Sequence, residues 1–151
     1  MKNKILILLL FLSVFTYGQN THLKFSKVYN KVKESNIKFP GLIMALSVAE
    51  SGFNSYDEDT ILVNSFNLWN LTTNKKCNCK VDPITGLAQY DSLDLSIIDL
   101  NKRIGKLISG CKDEEQAITV LCWYYLETTD RQMTPNNWKK RLQLIRNDMP
   151  Y

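Results

Sequence analysis

The sequence predicts a mainly α (α+β) fold, a single helical domain carrying a small β or irregular lobe. Three observations predict it. Residues 41–51 (GLIMALSVAES) are apolar on nearly every face, as a helix buried inside a domain must be. Leu93, Ile97, Leu100, Ile104, Leu107 and Ile108 recur at spacings of three and four, the period of an amphipathic helix. Between them lies a polar segment holding Cys77, Cys79 and Pro83, too broken for a helix and too short for a second domain.

The chain of 151 residues is of single-domain size. Residues 1–20 read MKNKILILLLFLSVFTYGQN. Lys2 and Lys4 are followed by an apolar run over 5–15 and the small-residue exit Thr16, Tyr17 and Gly18. That is the pattern of a secretory signal peptide, and the run falls short of the roughly 20 residues that span a bilayer. The reading is a signal peptide over 1–18 and one domain over 19–151, secreted or periplasmic, with no stable membrane insertion. Loss of Lys2 and Lys4 would take the formal charge from +4 to +2. This is far from the dense basic stripe of a nucleic-acid binder, so no nucleic-acid partner is expected.

The elements follow in order. Residues 23–36 carry Leu23, Val28, Tyr29 and Val32 among lysines, a loosely amphipathic helix. Pro40 suits the first turn of the buried helix, and Gly52 ends it. Residues 52–65 read as loop. Residues 66–72 (FNLWNLT) read as a strand, from the alternation around Leu68 and the aromatic Trp69. Residues 74–85 form a polar loop, and 86–90 a short returning strand. Asp91 opens the third helix and Gly110 closes it. Residues 113–127 form a fourth helix through Ala117, Val120, Leu121 and Tyr124. Thr134-Pro135 caps a fifth, with Trp138, Leu142 and Ile145 on one side.

Cys77, Cys79, Cys111 and Cys122 allow three disulfide pairings. Export favours disulfides. Cys77 and Cys79 read as too close to pair with each other, so bridges from their loop to the region of Cys111 and Cys122 are expected. Free buried thiols are one alternative, and a metal site is a weaker one, since there is a single C-x-C and the only histidine is His22. The single histidine also argues against a Ser-His-Asp set. No cofactor and no metal are implied.

Glu50 ends the buried helix, after the mostly apolar residues 44–49. Burial disfavours the charged form of a carboxyl and raises its pKa, as a general acid near neutral pH requires. The stretch 42–55 (LIMALSVAESGFNS) resembles the catalytic-helix motif of the lysozyme-like superfamily, an apolar helix ending in Glu-Ser-Gly. FNLWNLT resembles the Asn-Leu-Phe-Gly-Ile-Lys strand of glycoside hydrolase family 73, the bacterial peptidoglycan glucosaminidases (mannosyl-glycoprotein endo-beta-N-acetylglucosaminidase-like domains). Residues 90–104 (YDSLDLSIIDLNKRI) resemble that family's tyrosine-led helix. The three stretches occur in family order.

The resemblance implies a lysozyme-like helical domain acting on peptidoglycan glycan strands. It places the catalytic acid at Glu50 and glycan contacts at Asn67, Trp69, Asn70 and Tyr90. A cleft tyrosine falls to Tyr124 or Tyr125, with Tyr125 assigned to catalysis and Tyr124 to substrate. Trp123 and Trp138 read as core. Two departures stand out. Asn70 replaces the family's Gly, and the lobe over 71–90 lacks the family's glutamate, leaving Asp82 as its one carboxylate. A second acting carboxylate would have to come from Asp57, Glu58, Asp59 or Asp82. A second resemblance joins ESGFNS to GLAQ at 86–89, as in lytic transglycosylases, which need one carboxylate because a substrate hydroxyl attacks. A degenerate module that binds the wall or a partner protein without cleaving is the third alternative.

Overall fold

A computed structural model describes residues 21–51, 60–63, 65–74, 76–128 and 133–149. The fold is mainly α with a small β lobe. In chain order the elements are β1 (Thr21–Lys24), α1 (Phe25–Glu34), α2 (Pro40–Ser51), β2 (Thr60–Val63), β3 (Lys80–Val81), β4 (Ala88–Gln89), α3 (Leu93–Leu100), a π-helical turn (Asn101–Gly105), α4 (Lys106–Ile108), α5 (Glu114–Thr128) and α6 (Pro135–Asn147). The expected signal segment lies outside the described residues.

Helix α2 is the centre of the core. All its residues from Gly41 to Glu50 are buried, because an all-apolar helix has no face to give to water. It packs against α1 and α6, and α6 packs against α5. Helix α1 offers Phe25, Val28 and Val32 inward and its lysines outward. Ser92 caps α3 by accepting from the Leu95 N–H. Thr134 caps α6 in the same way, with Pro135 in its first turn. These caps satisfy N–H groups that have no partner within the helix.

Four sequence expectations are corrected. Residues 66–72 do not form a strand. Ser65, Phe66 and Asn70 have left-handed φ values of 63°, 54° and 48°, outside the extended region of a regular strand. The segment folds into two consecutive turns that bury Leu68, Trp69 and Leu71 together, without the alternation of a strand. Only Thr72 makes a bridge, to Leu87. The returning strand, by contrast, is present as β4, antiparallel to β3 with Val81 opposite Ala88.

The second correction concerns 52–65, where Thr60–Val63 is a strand. It pairs antiparallel with Thr21–Lys24, Thr21 opposite Val63. The third is the disulfide. Cys77 pairs with Cys79, their Cα atoms 5.3 Å apart, inside the usual range for a bridge. Cys111 and Cys122 are free and buried in the helical core, where the Cys122 thiol reaches the Pro135 carbonyl. The exposed lobe loop and that core do not bring the two pairs together. The fourth is Trp123, 55% exposed rather than core; Trp138 is buried as expected.

Candidate active site at the C-terminal end of α2

Glu50 is 6% exposed, the last residue in the buried run of α2. The hydroxyls of Ser47 and Ser51 donate back to the Met44 and Ser47 carbonyls, so α2 carries its polar side chains without opening its core. The C-terminal carbonyls of a helix lack intrahelical donors. The Asn70 side-chain amide supplies one, donating to the Glu50 backbone oxygen. Asn70 is left-handed, a conformation that asparagine accepts more readily than most residues. The position thus keeps the backbone shape a glycine would give and adds a donor that glycine lacks.

The turn bearing Asn70 is fixed to two helices. The Trp69 indole N–H donates to the Ile43 carbonyl of α2 at 3.0 Å. The Tyr125 hydroxyl of α5 donates to the Trp69 carbonyl at 3.0 Å. Tyr125 stacks on Trp138 of α6, ring centroids 5.9 Å apart, and meets Tyr124 edge to face at 5.3 Å. Asn67 braces the turn from inside. Its amide donates to the Leu71 and Ala88 carbonyls and its side-chain oxygen accepts from the Leu71 N–H, all at 2.9 Å.

These bonds revise the roles of several expected glycan contacts. Trp69 is 0% exposed and has no face to offer a sugar; its ring anchors the turn to α2. Tyr125 is buried and its hydroxyl is spent on that same turn, so it positions rather than contacts. The polar atoms of Asn67 serve the backbone. Asn70 and Tyr124, both partly exposed, are the expected contacts that retain surface.

Tyr90 belongs to a separate buried network. Its hydroxyl donates to Asp99, and Asp99 pairs with Arg103 at 2.7 Å. Arg103 in turn donates to the Thr72 carbonyl at 2.7 Å. Burial, then the Asp99 hydrogen bond and charge, push the Tyr90 hydroxyl well above the ordinary tyrosine range. Burial opposes the Arg103 charge, but the hydrogen bond and charge of Asp99 outweigh it and raise its pKa. The network joins the β lobe to α3 and the π-helical turn. Sequence reasoning missed Asp99 and Arg103, although a carboxylate and a guanidinium four residues apart on an apolar helix were a visible signal.

Asp82 is bound into its own turn. Its carboxylate accepts from the backbone N–H groups of Ile84 at 2.9 Å and Thr85 at 3.0 Å, and from the Gln89 amide at 3.1 Å. The Thr85 and Ile84 N–H bonds hold its pKa below the usual carboxylate range. Asp57, Glu58 and Asp59 lie outside the described residues. Among the described residues no helix is long and apolar enough to cross a membrane. Comparison with protein-family models, curated proteins and solved structures finds no match.

Proposed function

We propose that the protein is an exported enzyme that cuts the glycan strand of peptidoglycan, with Glu50 as general acid. The observation that carries the reading is the placing of Glu50. It is a buried carboxylate at the end of an apolar helix, held from its carbonyl by Asn70 on a turn braced by Trp69 and Tyr125. In this mechanism Glu50 donates its proton to the leaving glycosidic oxygen as positive charge develops on the sugar. Asn70 and Tyr124 border the bound strand. Its order of motifs, Glu-Ser-Gly, then the Asn-Leu-Trp turn, then the tyrosine-led helix, supports the peptidoglycan glucosaminidase reading.

The state of Asp82 favours a second reading of the same site. With that carboxylate spent on its own turn, a single-acid route is served, in which a substrate hydroxyl attacks and leaves an anhydro-sugar end. Product analysis on purified cell walls separates the readings. Reducing ends mean hydrolysis, and anhydro ends mean transglycosylation. Wall binding with no product would reduce the protein to a binding module.

A further inference from the structure

Two open cavities adjoin the π-helical turn, near the start of α2. That places them a helix length from Glu50, roughly 18 Å for twelve residues. The first, about 450 Å³, is lined by Asn36, Lys38, Asn101, Gly105, Lys106 and Ser109. The second, about 550 Å³, shares Asn101 and is walled by Ile97, Ile98 and Lys102, with Ser35. None of these lining side chains is acidic. The backbone around them is irregular.

Asn36 and Phe39 are both left-handed, with φ of 58° and 57°, although neither is glycine. Opposite them the helix widens into five π-helical residues. Such irregularities cost free energy and gather at functional sites. Gly105 has a specific part in this. A Cβ there would meet Asn101 Oδ1 at 2.0 Å, so glycine leaves room for the Asn101 side chain, whose amide donates to the Ser35 carbonyl at 3.0 Å. Lys38 is also fixed at the wall. Its ammonium donates to the Cys111 carbonyl and lies 5.1 Å from the Phe39 ring centroid. A lysine ammonium has three protons to give, so further donors remain.

We propose that the paired cavities bind an organic phosphate ester carrying a short apolar arm. Two lysines lining one cavity suit a group bearing close to two negative charges. The phosphate sits between Lys38 and Lys106, and the arm lies along Ile97 and Ile98. Ile98 is 50% exposed and gains cover from such an arm. The site is independent of glycan cleavage.

Calorimetric titration of the purified protein at low ionic strength tests this, with hexyl phosphate, inorganic phosphate and hexanol as probes. Hexyl phosphate is expected to bind about tenfold tighter than either fragment, since charge and apolar burial act together. Lys106→Gln should weaken both phosphates about tenfold, the worth of one charge-assisted hydrogen bond. Ile98→Ser should weaken hexyl phosphate alone. Gly105→Ala should displace Asn101 and lose binding; Lys106→Gln, on an exposed side chain, keeps the test valid if that variant folds poorly. Sedimentation with phosphatidic acid vesicles, against phosphatidylcholine, tells the source of the phosphate. Lys106-dependent retention assigns a lipid headgroup, and hexyl phosphate binding without retention assigns a soluble ester. Hexyl phosphate binding no tighter than inorganic phosphate overturns the proposal. So does a Lys106→Gln effect no larger than that of Lys140→Gln on α6.

Discussion

Glu50 and Asp82 are two carboxylates of one chain in unlike surroundings, to which the proposed function gives different tasks. Glu50 ends a helix with no other acidic residue, while Asp82 closes a turn on its own backbone. Glu50→Gln keeps the shape but cannot act as an acid. Wall-degrading activity should fall roughly 10²–10⁴-fold, with the circular dichroism spectrum unchanged and wall binding retained. Full activity in Glu50→Gln would end the catalytic reading of this residue. Asp82→Asn should leave the rate near normal in the same assay; a comparable loss would restore Asp82 as a second acid. Because the pKa of Asp82 is lowered in the fold, its contribution is present above the ordinary value of 3.8. It is lost as pH falls through the lower folded value. The protection factors of the Ile84 and Thr85 amides, exchange measured against the intrinsic rate at each pH, should therefore fall on acidification below about pH 4 in the wild type, and far less so in Asp82→Asn.

At the scale of elements, the two-turn segment 65–72 matters most, because it joins α2, α5 and the β lobe. Besides backbone bonds from Ala88 to Leu71 and from Tyr90 to Ser65, it is held by side-chain-to-backbone bonds, and removing one such partner strands a buried group. Asn67→Ala loses three such bonds at once. It should cost about 2–4 kcal/mol of unfolding free energy, at roughly 1 kcal/mol per net bond plus the stranded groups. Chemical denaturation reads this directly. Asn70→Gly keeps the left-handed backbone and removes only the donor to Glu50. Stability should change by about 1 kcal/mol, while activity falls further, since the amide holds the end of the helix that presents the acid. Equal activity in Asn70→Gly and wild type would confine Asn70 to the fold. The Tyr90–Asp99–Arg103 network makes a separate prediction. Because the Tyr90 pKa is raised in the fold, the contribution of its protonated hydroxyl is fully present below the ordinary value of 10. Its contribution is lost as pH rises through the folded value. In an alkaline absorbance titration Tyr90 should stay protonated until the fold opens, and Tyr90→Phe should lower the amplitude of that late step by one tyrosine.

Across the whole molecule, the covalent restraint is local and the cohesion is apolar. A bridge that closes only the loop from Cys77 to Cys79 constrains the unfolded chain little, since such stabilisation grows with loop length. Reductant should therefore shift Tm by only a few degrees, where a bridge from lobe to core would move it much more. Cys111 and Cys122, both buried, should resist alkylation in the native protein and react once it is unfolded. Burial raises the Cys122 thiol pKa against the opposing charge of Lys139, which slows that reaction further. Rapid native labelling of Cys122 would contradict the packing of α5 against α6.

The sequence alone determined the helices and the mainly α class. Apolar period, caps and proline placement are local signals, and α2, α3, α5 and α6 fall within a few residues of the expected positions. It also determined that Glu50 would be a carboxylate in an apolar setting, because its neighbours in the chain are its neighbours in the helix. Tertiary structure decided the rest. The expected strand over 66–72 became two turns because Trp69 and Leu71 are drawn into the core and Asn67 satisfies the backbone they leave unpaired. Trp69 and Tyr125 became anchors once their polar atoms met carbonyls 26 and 56 residues away in the chain. The cysteines paired by proximity within the lobe. In each case the deciding partner lies far off in sequence, where no local period reaches, and the need to satisfy buried polar groups chose among conformations that local propensity left nearly equal.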